Sequence, residues 1–296
     1  MMSAVAILNP RAGGRRTAYL PEGAEILETR APGHATELTR EALKREAKTV
    51  IAVGGDGTIN EVVNGFFEDE QPIPTDAALA VIPHGTGSDF SRTLNLPLDG
   101  KLAARIIQDG KKRFIDVMKV RYTTSDGNPK IRYAVNVASF GLGGAVADRV
   151  NRSSKAMGAL WTFASATLKA ALGFSGSQVT VRLDDSKTIS ATITSVAVGN
   201  GQYHGAGMRI CPEAILDDGL LDITIIRQLR LHQLMCNMPM LYNGKILRHP
   251  RVESYRVKTL TAESRENVLV EIDGEALGRL PVEIAVVPGA IQVFCR

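Results

Sequence analysis

The sequence predicts an α/β domain followed by a β-rich, sandwich-like domain within 296 residues. In the first part, short apolar runs alternate with segments of helical periodicity, and glycine-rich turns join them, which is the pattern of α/β domains. After Asp116, segments that alternate apolar and polar residues are separated by polar turns, as in antiparallel sheets. We therefore place the boundary near residues 114–117 and expect domains over residues 1–116 and 117–296.

The first domain contains three predicted strands and two predicted helices. The strands are apolar runs over residues 4–8, 49–53 and 77–82, and the helices carry apolar residues at helical spacing over 36–47 and 58–67. Repeated units of strand, glycine-rich turn and helix indicate a mostly parallel sheet. In such a sheet, ligands bind outside the carboxyl ends of the strands.

The second domain is predicted to be antiparallel, either a sandwich or a barrel-like sheet, with one or two helical insertions. Residues 154–174 form an amphipathic helical pattern that either packs on the sheet or contacts lipid, with packing favoured. Residues 231–247 are rich in methionine, which suits an adaptable apolar groove, although core filling is favoured. The predicted strands cover residues 119–122, 131–137, 179–183, 189–198 and 221–226.

Composition narrows the function classes. The net charge is +4, which favours anionic partners such as phosphates or acidic membrane surfaces. Aromatic residues make up only 5% and do not interleave with basic runs, so nucleic-acid binding is not expected. Three scattered cysteines indicate neither a disulfide framework nor a zinc site, and they fit the reducing cytoplasm. Because no segment holds 18 uninterrupted apolar residues, we expect the protein to contact any membrane at its surface and not to span it.

A glycine-rich loop at residues 54–58 lies between a predicted strand and a predicted helix. Its glycines let the backbone approach a ligand, and the start of the helix presents free N–H groups to phosphate. Asp56 would then lie beside bound phosphates, where Mg²⁺ bridges carboxylate and phosphate oxygens. The alternative is a tight turn in which Asp56 merely caps the helix.

The loop after the next strand, at residues 83–92, repeats this chemistry with Gly85, Thr86, Gly87 and Asp89. Two such turns after adjacent parallel strands would converge at one edge of the sheet, which favours phosphate binding for both. Neither loop has the spacing of a dinucleotide-binding motif or of a P-loop. A nucleotide would therefore be held in another way.

Several motifs occur in order along the whole chain. Asn9-Pro10 with glycines at 13–14 comes first, and the segments 54–62 and 83–92 follow. The later half adds the acidic segments 212–222 and 271–275. Together they resemble the diacylglycerol kinase catalytic-domain family, which includes sphingosine and ceramide kinases.

The resemblance implies a phosphofructokinase-like α/β nucleotide-binding domain, a β-rich lipid-kinase domain, and ATP with Mg²⁺ in the cleft between them. Two residues depart from the family pattern, since Ser88 replaces the usual asparagine and Gly87 replaces a commoner alanine. We expect the loop to survive both changes because the residues are small. The implied nucleotide-binding residues are Asn9, Pro10, Arg11, Ala12, Gly13, Thr29, Gly54, Gly55, Asp56, Gly57, Thr58, Ile59, Asn60 and Thr86.

The resemblance also implies catalytic roles for three acids. Glu275, the last residue of an Asp-Gly-Glu turn, corresponds to the general base, which takes the proton of a lipid hydroxyl as its oxygen attacks the γ-phosphorus. Asp56 would lie near the metal and phosphates, and Asp89 would support the site. Asp273 is an alternative hydrogen-bond acceptor in this turn, and a simple hairpin with exposed acids is the competing interpretation.

A second cation site is implied at residues 215–220. The resemblance suggests a structural Mg²⁺ bound by the Asp218 carboxylate and the main-chain oxygens of Ile215 and Leu220. A plain Asp-Gly hairpin turn is the competing interpretation, and the sequence scarcely separates the two.

The sequence therefore predicts an ATP- and Mg²⁺-dependent lipid kinase that is cytoplasmic and peripheral to the membrane during turnover. Diacylglycerol is the leading substrate, giving phosphatidic acid. The alternatives are kinases for a sphingoid base, phosphatidylglycerol or NAD, and a regulator that binds nucleotide or lipid without catalysis. The oligomeric state is open, with a homodimer as one alternative.

Overall fold

The structure, a computed structural model, describes residues 4–13, 18–19, 22–85, 87–152 and 174–296. The chain forms two compact units. The first comprises Met1–Val117 and Pro288–Arg296, and the second comprises Met118–Val287. Residues 288–296, which the sequence pattern places in the second domain, thus belong to the first unit.

The first unit is built on parallel strands in the order β2–β1–β3–β6–β18. Only the end of β18 takes part, since Gln292 and Val293 pair with β6. A short antiparallel pair, β4 and β5, follows the second helix. The strands are β1 (Ala4–Leu8), β2 (Glu25–Glu28), β3 (Thr49–Gly54), β4 (Phe67–Glu68), β5 (Gln71–Pro72), β6 (Ala78–Pro83) and β18 (Glu275–Phe294).

In the described part of this unit, four helices accompany the sheet: α1 (His34–Lys44), α2 (Asp56–Gly65), α3 (Asp89–Thr93) and α4 (Gly100–Asp109). Every residue of β3 and β6 is buried, as expected for central strands of a parallel sheet that is covered on both faces. The apolar stripes of α1 and α2 are buried as well. The helix α4 begins where the Asp99 side chain accepts the Leu102 N–H at 2.9 Å, and it ends at Gly110, whose φ is 72°.

The second unit is an antiparallel sheet in the strand order β15–β14–β11–β10–β16–β18. The strands β9 and β17 pair with each other and connect β11 to β18. The strand β7 pairs with both β18 and β8. Buried and less buried residues alternate along β10, which is the pattern of a sheet with one face in the core. The strands are β7 (Lys112–Thr123), β8 (Pro129–Ala134), β9 (Val137–Gly141), β10 (Ser177–Leu183), β11 (Lys187–Gly199), β12 (Tyr203–His204), β13 (Met208–Arg209), β14 (Leu221–Arg227), β15 (Val252–Val257), β16 (Thr259–Glu263) and β17 (Leu269–Ile272).

Among the described residues of the second unit, the helices are α5 (Leu142–Arg152) and α6 (Leu231–Tyr242), and a 3₁₀ turn follows at Ile246–Arg248. The methionine-rich segment 231–247 thus forms α6 followed by the 3₁₀ turn, and Gly244 between them has a φ of 71°. The helix predicted over 154–174 lies outside the described residues, apart from its last residue. The strands β2 and β18 and the helix α4 were not predicted.

Candidate active site

Backbone hydrogen bonds tie together the carboxyl ends of the central strands in the first unit. Asn9 N–H donates to Val53 O at 3.1 Å, and His84 N–H donates to Gly54 O at 2.8 Å. Thr29 N–H donates to Leu8 O at 2.8 Å, which brings the end of the edge strand to the same place. The loops that follow β1, β3 and β6 thus meet at one edge of the sheet, as the parallel topology predicts.

The loop of residues 54–58 leads directly into α2. Gly55 precedes the helix and has no side chain to cap it, so the first N–H groups of α2 have no side-chain acceptor from this position. A Cβ atom on Gly54 would lie 2.5 Å from Thr58 Oγ1, so only glycine fits there. Asn9 Nδ2 donates to the same Thr58 hydroxyl at 3.0 Å and joins the first loop to the helix. This arrangement provides N–H donors and helix dipole for an anion.

The loop after β6 packs against the loop after β3. A Cβ atom on Gly85 would collide with the Cα atom of Gly55, so the two backbones touch where both are glycine. Gly13 lies against the His84 ring and has a φ of 69°, a second reason for glycine at that position. Close packing alone therefore accounts for part of the glycine pattern. Thr86 lies outside the described residues.

Two carboxylates lie at the junction of these loops. Asp56 is partly buried, and its Oδ1 accepts the Phe90 N–H at 3.0 Å. The pKa of Asp56 is raised from its ordinary value of 3.8 to about 6, mainly by burial and secondly by the nearby Asp89 carboxylate. Asp89 is itself buried and lies 3.4 Å from Arg92 Nη1. The Arg92 guanidinium lowers the pKa of Asp56, but burial and the Asp89 carboxylate outweigh it.

The two departures from the family pattern have direct structural consequences. Ser88 has a φ of 54°, a conformation that asparagine tolerates better than serine. At position 87, the Cβ atom of an alanine would lie 2.8 Å from Asp56 Oδ2, so glycine leaves more room beside that carboxylate.

The remaining implied nucleotide-binding residues fall into two groups. Pro10, Arg11 and Ala12 form the turn after β1, where Arg11 N–H donates to Asn9 Oδ1 at 3.0 Å. Ile59 and Asn60 lie in the first turns of α2 with side chains buried in the protein, so any contact with a ligand there would involve the backbone.

In the second unit, Asp273 and Gly274 form a two-residue hairpin turn between β17 and β18, with φ values of 46° and 91°. The Asp273 carboxylate accepts three backbone N–H groups. Its Oδ2 accepts from Val135 at 3.0 Å, and its Oδ1 accepts from Asn136 and Val137, each at 3.1 Å. Asp273 is therefore a structural acceptor that fixes residues 135–137 to the turn.

Glu275 follows this turn and differs from Asp273 in its contacts. Its Oε2 lies 3.5 Å from Arg132 Nη2, and 36% of the side chain is exposed. Tyr122 is buried, and the pKa of its hydroxyl is raised by burial, lowered by Arg132 and raised by Glu275, so the three groups interact electrostatically. Glu275 is thus an accessible acid held beside a cation and a phenol.

Sequence reasoning missed Glu271 as an organising residue. This side chain is fully buried, and its Oε2 accepts the Ser139 hydroxyl at 2.7 Å and lies 3.6 Å from His204 Nδ1. Its Oε1 accepts the N–H of Gly274 in the turn before Glu275. The available signal was an acid between two apolar residues of a short strand, since Val270 and Ile272 face the core.

At the cation site implied at residues 215–220, an arginine side chain lies beside the acids. Asp218 Oδ1 accepts the Leu220 N–H at 3.0 Å, and Asp218 Oδ2 is ion-paired with Arg256. Arg256 Nε also lies 3.6 Å from Asp222, whose pKa burial raises to about 6. The guanidinium already supplies positive charge to these acids, so the contacts do not favour a metal ion over it. A metal ion at this turn remains a prediction.

Comparisons with known proteins identify the family. The model of the diacylglycerol kinase catalytic domain matches residues 3–120. The model of the YegS C-terminal NAD kinase beta sandwich-like domain matches residues 136–295. A diacylglycerol kinase of Mycobacterium tuberculosis is 31% identical over 88% of this chain and 81% of its own length. The chain belongs to the diacylglycerol kinase family. It is therefore a lipid kinase, as the motifs predicted.

Further relatives support the family and the fold. A diacylglycerol kinase of Staphylococcus carnosus is 29% identical over 99% of this chain and 89% of its own length. A crystal structure from Bacillus anthracis, described as a candidate diacylglycerol kinase, has a TM-score of 0.77 and 25% identity, and the match covers 100% of this chain and 98% of that one. An NAD kinase of Archaeoglobus fulgidus, solved in complex with ATP, shares the fold alone, with a TM-score of 0.51 and 12% identity over 99% of this chain and 93% of that one. The predicted fold class is confirmed.

Two features are absent from the residues that the structure describes. No cluster of three or more His, Cys, Asp or Glu side chains is arranged there to hold a metal ion. Among the same residues, no helix is both long and apolar enough to cross a bilayer.

Proposed function

We propose that this lipid kinase transfers the γ-phosphate of ATP, with Mg²⁺, to the hydroxyl of diacylglycerol and so produces phosphatidic acid. The observation that carries the proposal is the pair Asp56 and Asp89 at the junction of two glycine-rich loops. Burial and the neighbouring acid raise the pKa of Asp56 to about 6. Such a pair is electrostatically unfavourable by itself and is relieved when a cation binds beside it.

The donor set suits Mg²⁺ that arrives with a nucleotide. Mg²⁺ commonly binds through one or two protein carboxylates, with phosphate oxygens and waters completing its shell. Asp56 and Asp89 supply two carboxylates, which explains why a larger protein cluster is not needed. When bound, Mg²⁺ would neutralise charge on the transferring phosphate.

The first unit's loops suit the phosphates of ATP. The start of α2 directs backbone N–H groups and its dipole outward after Gly55, and the touching glycines Gly55 and Gly85 leave no side chain in the way. Asn9 fixes the first turn of α2 through Thr58. These residues would bind and align the phosphates, and alignment is a large part of catalysis in phosphoryl transfer.

Glu275 is the proposed general base. Its carboxylate is partly exposed, and the guanidinium of Arg132 orients it. The turn that carries it is fixed by Asp273, through three backbone N–H groups, and by buried Glu271. In the proposed step, a Glu275 oxygen accepts the proton of the lipid hydroxyl while that hydroxyl oxygen bonds to the γ-phosphorus and the bond to ADP breaks.

The choice of diacylglycerol rests on the relatives that carry this name. A sphingoid base and phosphatidylglycerol remain the competing lipids, and NAD is a competitor because an NAD kinase shares the fold. Transfer from radiolabelled ATP to each of the four acceptors in parallel separates them. A purely regulatory role is disfavoured because Asp56, Asp89 and Glu275 are all present.

Calorimetric titration of ATP tests the observation that carries the proposal. Wild-type protein should bind ATP more tightly with Mg²⁺ than with EDTA, and Asp56→Asn and Asp89→Asn should each abolish that difference. Asp76→Asn is the matched control, because this aspartate of the same unit has a side chain that is 93% exposed. Equal Mg²⁺ dependence in all four proteins would refute the metal role of the pair.

We further propose that the enzyme works at the membrane surface and reaches its lipid from the cytoplasmic side. The net charge of +4 supports attraction to acidic lipid surfaces. A homodimer remains a prediction.

A further inference from the structure

The two carboxylate oxygens of Glu271 have separate contacts. Oε1 accepts the Gly274 N–H in the turn that leads into Glu275. Oε2 accepts the Ser139 hydroxyl at 2.7 Å and lies 3.6 Å from Nδ1 of His204. Because the side chain is fully buried, these groups take the place of water around it. One rigid carboxylate therefore couples the turn before the proposed base to Ser139 and His204.

The bond from Gly274 is not part of the ladder between β17 and β18. Ile272 pairs with Glu275 across the hairpin, and the two residues between them lie outside that pairing. The Asp273 N–H donates to Val137 O at 3.0 Å, and the Gly274 N–H donates to Glu271. Glycine has the greatest backbone freedom of any residue, so this bond restrains the peptide that immediately precedes Glu275.

His204 is presented by a short and strained hairpin. It pairs with Met208 across β12 and β13. The loop between them has three successive residues in the left-handed region, with φ values of 60° at Gly205, 65° at Ala206 and 101° at Gly207. This conformation is unfavourable for alanine. Strain of this kind persists where surrounding contacts fix the backbone, and it is concentrated at functional sites.

The same hairpin is attached to the segment that Asp273 fixes. The Asn136 side-chain amide donates to Tyr203 O at 2.5 Å, and the Asn136 N–H donates to Asp273 Oδ1 at 3.1 Å. Only 13% of the His204 side chain is exposed. Among the described residues, Nδ1 has Glu271 as its partner, and no hydrogen-bond partner is found for Nε2. Nδ1 is therefore the atom through which His204 can act on the turn.

We propose that His204 is a positioning residue for the proposed general base and that it acts through Glu271. Because a carboxylate oxygen only accepts hydrogen bonds, the hydrogen between the two groups belongs to Nδ1. Among the described contacts of Glu271, His204 is the one side chain that can carry positive charge. It helps to hold this carboxylate, and with it the Gly274 N–H, in place. The inference rests on the proposed function, since it concerns how Glu275 is aligned with a lipid hydroxyl.

Substitutions at His204 separate its two ring nitrogens. The side-chain NH₂ of asparagine falls near the position of Nδ1, and that of glutamine falls near the position of Nε2. Phenylalanine keeps a ring without either nitrogen. His204→Phe and His204→Gln should each lower turnover with lipid about tenfold at an unchanged KM for ATP, because a displaced base is poorly aligned. His204→Asn should stay within about twofold of the wild-type turnover.

A double-mutant cycle tests whether His204 acts through Glu271. The amide oxygen of Glu271→Gln can still accept the Gly274 N–H, but the charge that faces His204 is lost. This change should lower turnover about tenfold, and adding His204→Phe should lower it by less than about twofold more, because both changes remove the same contact. Two independent structural defects would instead multiply to about 100-fold.

Hydrogen exchange at Gly274 gives a readout that does not depend on activity. His204→Phe should raise the exchange rate of this N–H about tenfold, and His204→Asn should restore it. His249→Phe is the matched control, since this histidine of the same unit is also partly buried and its ring contacts Asn237 and the Arg251 N–H. That control should lower thermal stability and leave both turnover and Gly274 exchange unchanged.

The two readouts distinguish failure of the inference from failure of the proposed function. Wild-type protein that phosphorylates no lipid would refute the proposed function, and the exchange measurement would still decide the role of His204. Unaltered turnover or unaltered Gly274 exchange in a folded His204→Phe or His204→Gln variant would overturn the inference. Recovery by glutamine in place of asparagine, or effects that multiply in the double variant, would overturn it as well.

Discussion

Replacement of Asp56 by asparagine should stabilise the protein at neutral pH while it removes activity. The pKa of this acid is 3.8 ordinarily and about 6 in the folded protein. The two values differ by about two pH units, and each unit corresponds to about 1.4 kcal/mol, so the ionised carboxylate costs the folded state about 3 kcal/mol at pH 7.5. Asparagine removes that cost. Its amide oxygen can still accept the Phe90 N–H, although a neutral acceptor is weaker by about 1 kcal/mol. The expected net gain is about 2 kcal/mol.

The sign of the pH dependence follows from the raised pKa. Wild-type protein takes up a proton at Asp56 on folding between pH 4 and 6, so the stability linked to this group is complete below pH 3.8 and is lost as the pH rises through about 6. The advantage of Asp56→Asn should therefore be largest at pH 7.5 and fade toward pH 4. Urea unfolding, followed by circular dichroism, measures it.

Asp76→Asn serves as the control for this experiment, because its side chain is exposed and its replacement should leave the pH profile of stability unchanged. Activity gives the second readout. Loss of a carboxylate at the proposed Mg²⁺ site should lower turnover by about 100-fold or more. A variant that is less stable than wild type at pH 7.5, or an advantage that does not vary with pH, would refute the reasoning about burial and the Asp89 charge.

Three other substitutions test separate parts of the site. Glu275→Gln should lower turnover by about 10²-fold or more while ATP affinity stays near wild type, and unaltered turnover would remove Glu275 as the base. Asp273→Asn should lower the free energy of unfolding by about 2–3 kcal/mol, because the amide NH₂ of asparagine would face a backbone N–H. Backbone strain should not contribute, since asparagine tolerates the φ of 46° at this position. A loss below about 0.5 kcal/mol would contradict the anchoring role. Gly85→Ala should disturb the contact with Gly55 and lower both thermal stability and ATP affinity, and unchanged ATP affinity would contradict the role of this contact in shaping the site.

Much of the first unit was predictable because its central strands are continuous apolar runs. The strand β3 ends one residue later than predicted, and β6 is shifted by one residue at each end. The edge strand β2 was missed since its sequence, Glu25–Glu28, places two acids around two apolar residues and buries little. The return of β18 to the first unit was also missed, because pairing between residues far apart in sequence leaves no local signal.

The candidate site shows the same division between local and distant information. Proximity of the loops at 54–58 and 83–92 followed from parallel topology, without any side-chain detail. By contrast, Arg132 contacts Glu275 although the two residues are 143 positions apart in the sequence. Asp273 accepts the Val135 N–H although these residues are 138 positions apart. Those partners depend on how β8, β9 and β17 assemble, which the sequence pattern alone does not specify.

Transfer of radiolabelled phosphate from ATP to diacylglycerol in mixed micelles tests the central claim most directly. We expect labelled phosphatidic acid with wild-type protein in Mg²⁺, none with EDTA, and a loss of about 100-fold or more in Asp56→Asn. Folded wild-type protein that yields no labelled lipid, or that transfers phosphate equally well without Mg²⁺, would contradict it.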